Sequence, residues 1–166
     1  MSAIDDKYAE LGGPGGWLGP PVDEGAGSAE MDTADRRGRT RDFQNGSIFW
    51  TPQTGAHEVH GAIRVKWAQL GNWLGYPVTD ELGTPDGRGR FNHFENGSIY
   101  WTPETGPHEV HGAIRDRWAS MGWERSFLGY PTSDESPMPG GRVSHFQGGD
   151  ILWTPQGGAN VRRRID

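Results

Sequence analysis

The chain has 166 residues, a formal charge of −6, 27 Gly, 12 Pro, 8 Trp and no Cys. No run of about 18 apolar residues is present to span a membrane. The acidic balance argues against a reader of nucleic-acid phosphates, which needs a clustered positive face, and the lack of Cys removes disulfides, zinc ribbons and thiol nucleophiles. A chain this rich in Gly and Pro often stays unfolded, but its aromatics can supply the core that its few aliphatic residues cannot.

In chain order, Ala3, Ile4, Tyr8 and Leu11 fall at helical spacing up to Gly12 and predict the latter part of a helix. The opening Met1-Ser2-Ala3-Ile4-Asp5-Asp6 has neither the basic stretch nor the apolar run of a signal peptide. A loop follows with Leu18-Gly19-Pro20-Pro21 and the acidic pair Asp23-Glu24, then a polar stretch. Apolar runs on either side of Asn45-Gly46 predict a β-hairpin ending at Trp50, with positive φ at both turn residues. The next stretch predicts a second helix with Val59, Ala62, Ile63, Trp67 and Leu70 on its buried face and Gly71 as its stop. The order then repeats. Leu74-Gly75-Tyr76-Pro77 and Asp80-Glu81 precede a hairpin around Asn96-Gly97. A third helix, opening near Gly106, carries Val110, Ala113, Ile114, Trp118 and Met121 and stops at Gly122. Leu128-Gly129-Tyr130-Pro131, Asp134-Glu135 and a hairpin around Gly148-Gly149 close the third round. The chain ends at Asp166, where a further helix is expected to be starting.

Trp-Thr-Pro recurs at Trp50, Trp101 and Trp153, at spacings of 51 and 52. Residues 44–64 match residues 95–115 at 17 of 21 positions, so one unit has been duplicated. The expected organisation is a single repeat domain over 1–166. Repeat 1 covers about 1–55, with its helix start supplied by 156–166; repeat 2 covers about 56–106 and repeat 3 about 107–155. The expected fold is α+β, a closed propeller-like ring of three β-hairpin-plus-helix repeats with pseudo-threefold symmetry. Each unit exposes an apolar face that only a neighbour can cover. A head-to-tail swap between chains would satisfy the same need, and a homo-oligomer is compatible with so small a ring.

Leu-Gly-Tyr-Pro, then Asp-Glu, Gly-Arg, Phe-x-Asn-Gly-Ser-Ile-Tyr-Trp and Thr-Gly-x-His-Glu-Val-His-Gly-Ala-Ile-Arg together resemble the LGFP repeat family, three times over essentially the whole chain. Tyr76 and Tyr130 stand where the family name has Phe, and the first copy departs further with Pro20. The resemblance implies a propeller-like ring found in actinobacterial envelope proteins. It also implies binding to cell-wall polysaccharide such as arabinogalactan or peptidoglycan, often beside an enzyme domain; here the repeats use up the chain. Location stays open between the cell envelope, which the resemblance implies, and the cytoplasm, because no signal peptide is read.

The candidate ligand-binding residues are aromatics for stacking and polar groups for reading hydroxyls. Trp50, Trp101 and Trp153 end the hairpins and serve either as core plugs or as sugar-stacking faces. Trp67 and Trp118, with Tyr8, lie on the helical stripe and are assigned to the core. Trp17, Trp73 and Phe127 precede Leu-Gly and, with Trp123, are loop aromatics open to either role; Tyr76 and Tyr130 follow them. Asp80 and Asp134 could read sugar hydroxyls or pair with Arg90 and Arg142, as Asp23 could with Arg39; those Arg residues could instead bind a glycan. His93 and His145 in the hairpins are candidate donors. A glycosidase needs two carboxylates roughly 5–10 Å apart, and adjacent residues in an extended loop point apart, so no catalytic residues are assigned. His57 and His60, and His108 and His111, are spaced at i and i+3 rather than the i and i+4 of the helical zinc signature, so no metal or other cofactor is expected. The expected function is non-catalytic, lectin-like glycan binding. The alternatives are a protein-interaction or self-assembly module and, last, a hydrolase.

Overall fold

The computed structural model describes residues 2–22 and 30–164, so the Asp23-Glu24 pair lies outside the described residues. Three helices, α1 (Ala3–Glu10), α2 (Gly61–Leu70) and α3 (Gly112–Met121), alternate with three groups of strands. The first group is β1 (Met31–Asp32), β2 (Arg39–Phe43), β3 (Gly46–Thr51) and β4 (Gly55–Val59). The second is β5 (Leu82–Gly83), β6 (Arg90–Phe94), β7 (Gly97–Trp101) and β8 (His108–His111). The third is β9 (Ser136–Met138), β10 (Gly141–Phe146), β11 (Gly149–Thr154) and β12 (Gly158–Arg163). Each group forms a four-stranded sheet in sequential strand order. The fold is α+β, and each expected hairpin is the middle of a larger sheet. Among the described residues no helix is long and apolar enough to cross a membrane.

The fourth strand of each sheet corrects the helix boundaries. His108–His111 was expected inside α3 but is strand β8, with Val110 paired to Ser98. In the first sheet Val59 likewise pairs with Ser47 in β4. Gly61 and Gly112, at φ 58° and 59°, redirect the chain from strand into helix without a loop. Val59 and Val110 are therefore buried as strand residues, while Ala62 and Ala113 are exposed. Likewise Gly158–Arg163, expected to supply a helix start, is paired along β11 from Thr154↔Gly158 to Gly149↔Arg163. Helix α1 begins on its own cap: Ser2 Oγ accepts the Asp5 N–H at 3.1 Å and the Ser2 N–H donates to Asp5 Oδ2 at 3.3 Å.

The hairpin turns are corrected as well. Phe43 pairs with Gly46 and Phe146 with Gly149, so the turn residues are Gln44-Asn45 and Gln147-Gly148. None of these, nor Asn96 or Gly97, has positive φ. The turns instead lie against the Leu-Gly segments. Gln44 and Asn45 N–H donate to the Pro20 and Leu18 carbonyls at 3.0 Å each. Gln147 N–H donates to Tyr130 O at 3.0 Å and Gly148 N–H to Leu128 O at 2.8 Å. The glycine after each turn is there for space: a Cβ on Gly46 would lie 2.7 Å from His60 Cβ, and one on Gly149 2.2 Å from the Arg162 carbonyl oxygen.

The chain divides into two compact units, residues 1–82 with 92–95 and residues 83–91 with 96–166. In the first, Ile4, Leu18, Phe43 and Ile48 form a core, with Tyr8 stacked on Phe43 at 4.3 Å. In the second, Tyr100, Val110, Ile114, Trp118, Leu128, Tyr130, Phe146 and Ile151 form one continuous core. One contact recurs in both. The polar atom of each helix aromatic donates to the carbonyl of the Leu-Gly glycine: Tyr8 to Gly19 at 2.8 Å, Trp67 to Gly75 at 3.0 Å and Trp118 to Gly129 at 3.2 Å. A ring that is mostly apolar is thus packed inward, fully in Trp118 and partly in Tyr8 and Trp67, with its donor satisfied.

Candidate functional site

The first unit holds a groove of about 360 Å³. Phe49 from β3, Arg64 and Trp67 from α2, Asn72 beyond that helix, and Tyr76 form much of it; Met31, Thr33 and Asp35 line it from the first sheet's edge. The aromatic wall is built by contact: Phe49 meets Trp67 edge-on at 4.6 Å, and Trp67 also packs on Phe94 at 5.3 Å. The Arg64 guanidinium lies over Phe49 at 5.4 Å and over Trp67 at 5.7 Å, and its Nε donates to Ser47 Oγ at 3.3 Å.

The opposite edge is fixed by a turn. Asp35 Oδ1 accepts the Arg37 N–H at 3.0 Å, and the Tyr76 hydroxyl lies 2.5 Å from Asp35 Oδ1 and 2.8 Å from Thr33 Oγ1. The Tyr76 hydrogen bond is the main reason the Asp35 carboxyl titrates below the usual range, and burial is the main reason the Tyr76 hydroxyl titrates above it. Glu95 ties the same corner: it accepts the Tyr76 N–H at 2.9 Å and holds both Nη groups of Arg37 at 3.1 and 2.9 Å.

The second unit repeats these positions with different contents. Tyr130 lies 2.8 Å from Thr84 Oγ1 and 2.7 Å from Asp86 Oδ1, as Tyr76 does with Thr33 and Asp35. Thr40, Phe49 and Asn72 become Phe91, Tyr100 and Trp123. Phe91 stacks on Tyr100 at 4.9 Å, Trp123 stacks on Tyr100 at 5.9 Å, and Arg115 lies over Trp123 at 5.1 Å. Tyr100 and Trp118 are buried, whereas Phe49 and Trp67 keep partial exposure. In the second copy, rings occupy the positions that line the groove in the first.

Of the expected ligand-binding residues, only Tyr76 lines this groove. Trp50 and Trp153 are partly buried against the two cores, Trp101 is partly buried on β7, and Tyr130 is fully buried. The loop aromatics are the open ones: Trp17 is 45%, Trp73 43% and Phe127 41% exposed. The acidic residues have partners other than the expected Arg. Asp80 Oδ1 accepts from His57 Nδ1 at 3.1 Å and from the Glu58 N–H at 3.2 Å, and Asp80 Oδ2 accepts from Lys7 at 2.9 Å. Asp134 meets His108 and the Glu109 N–H at 3.2 and 3.1 Å. Arg142 does pair within its unit, but with Glu135, at 2.9 Å. Arg90 is exposed on β6; His93 is partly buried, with its N–H on Thr79 Oγ1; His145 pairs with Asp150 at 2.6 Å. The residues absent from the sequence reading were Phe49, Arg64, Asn72 and the Thr33–Asp35 turn. A signal for that turn existed: Thr33-Ala34-Asp35 recurs as Thr84-Pro85-Asp86, 51 residues on, inside the polar stretch that follows each acidic pair.

His60 and His111 occupy N-cap positions, but their side chains do not cap. His60 sits between Glu58 at 2.8 Å and Glu81 at 3.1 Å, and His111 between Glu109 at 2.7 Å and Glu135 at 3.1 Å. Burial alone would lower the His60 pKa, but the two glutamates outweigh it and raise it to about 9. The Glu109 and Glu135 hydrogen bonds raise His111 to about 9 against the opposing effect of burial. A folded-state pKa above the unfolded 6.5 means stability that is complete below pH 6.5 and lost as pH rises through 9. The melting temperature is therefore expected to fall between pH 6.5 and 9.5, and the double variant His60→Gln/His111→Gln to flatten that fall. A melting temperature that rises over this window would contradict the assignment.

No curated protein matches the chain. The sequence model of the LGFP repeat matches residues 18–72, 74–126 and 128–164, each match starting at or beside a Leu-Gly segment. With three matches covering nearly its whole length, the chain belongs to the LGFP repeat family.

Proposed function

We propose that the chain binds a carbohydrate of the cell envelope without turning it over, and that the groove of the first unit is its site. The observation that carries this reading is the composition of that groove: the aromatic side chains Phe49, Trp67 and Tyr76 together with the polar groups of Arg64, Asn72 and Asp35 around about 360 Å³. Ligand sites combine apolar and aromatic walls with a few placed polar groups in this way. Asp80, Asp134, Glu58 and Glu109 are engaged by histidines and Lys7, which suits structural roles better than acid–base work. Trp17, Trp73 and Phe127 put an exposed aromatic at one position of each repeat.

A second reading has its own support. Val22, Met31, Val65, Val78 and Leu82 are exposed apolar side chains as well, as an interaction module would show. Calorimetric titration with soluble arabinogalactan and peptidoglycan fragments separates the two. Saturable glycan binding that Phe49→Ala weakens by about 1–2 kcal/mol, with an unchanged melt, supports the lectin reading. A discrete oligomer in light scattering with no glycan binding would replace it with the interaction module.

A further inference from the structure

Resting on the groove's assignment as a saccharide site, we propose that its ligand is an anionic sugar, a uronate-type residue whose carboxylate pairs with Arg64. Arg64 is the one basic residue of the lining, and its known engagements are one Nε hydrogen bond to Ser47 and two aromatic faces. No carboxylate pairs with it among the described residues. The two acids of the lining are already engaged: Asp32 holds Arg39 at 2.5 Å, and Asp35 accepts from the turn and from Tyr76. With its Nε bonded and no hydrogen bond at its Nη groups among the described residues, the guanidinium can meet a carboxylate through both Nη groups as a fork. Phe49, Trp67 and Tyr76 line the same groove, so a sugar chain can lie against their apolar surface while one acid pairs with Arg64.

The second copy is an internal control. Arg115 repeats Arg64, with Nε on Ser98 Oγ at 2.7 Å, but beside it the bulky Trp123, its ring 5.1 Å from the guanidinium, fills the position where the first copy has Asn72 lining the groove. The charge preference is therefore assigned to Arg64 alone.

The test compares tetragalacturonic acid with its full methyl ester, the same sugar without charge, by calorimetric titration of the whole chain. The acid is expected to bind about tenfold more tightly or better, with the difference shrinking as salt rises. Arg64→Gln brings the acid's affinity down to that of the ester; Arg64→Lys keeps part of the preference and serves if the first variant melts early; Arg115→Gln keeps all of it. Equal affinity for acid and ester, or a preference that survives Arg64→Gln, overturns the charge assignment while the saccharide reading stands. Displacement of the acid by an equal concentration of inorganic phosphate overturns it too, since the site would then read charge without sugar. Binding of neither ligand overturns the uronate assignment, while the saccharide reading is decided separately by the arabinogalactan and peptidoglycan titrations.

Discussion

Trp118→Ala is expected to lower stability by about 3–5 kcal/mol, the cost of removing a buried aromatic and leaving its cavity. Trp118 is 0% exposed and touches Tyr100, Trp123 and Phe146 at ring distances of 4.7–5.4 Å. Its indole N–H is also the partner of the Gly129 carbonyl, so truncation orphans that group beside the Leu-Gly segment. The melting temperature should fall by roughly 10 °C. Trp67→Ala should cost less, because Trp67 is only partly buried and one side of it faces the groove. Equal losses for the two variants would contradict the difference drawn between the filled and the open copy.

Gly149→Ala has the second largest expected effect, and its sign is the informative part. Gly149 has no positive φ, so on backbone freedom alone Ala would be neutral or would stabilise by a few tenths of a kcal/mol. Its Cβ, however, would sit 2.2 Å from the Arg162 carbonyl oxygen and 3.1 Å from Arg163 Cα, both backbone atoms of the paired strand β12. Overpacking of this kind costs roughly 1–3 kcal/mol. Thermal melts of the single variant decide it: a loss confirms the close approach, and an unchanged or raised melting temperature contradicts it.

The repeats, the helix aromatics and the stops at Gly71 and Gly122 were legible because each rests on local spacing. Tyr8, Trp67 and Trp118 recur at one helical position, and the structure gives all three the same carbonyl to bind. The strands that lead into α2 and α3 were not legible. Val110, Ile114 and Trp118 happen to fall at helical spacing, so the period alone does not reveal that Gly112 breaks the backbone between them. The turn misreading has a similar cause. Asn-Gly signals positive φ, but hydrogen bonds from the turn to Leu18 and Pro20 set this geometry, and they come from more than 20 residues away. The groove was the least legible feature. It joins Met31 to Asp35, Phe49, Arg64 to Asn72, and Tyr76, and the residues that distinguish the open copy from the filled one, Thr40 and Asn72 against Phe91 and Trp123, carry no motif.

The most direct measurement is a titration of the 15N-labelled chain with soluble cell-wall polysaccharide, followed at the tryptophan indole N–H signals. The Trp67 signal is expected to move saturably while the Trp118 signal stays in place. A saturable shift at Trp118 without one at Trp67, or no shift at any indole at saturating polysaccharide, would contradict this expectation.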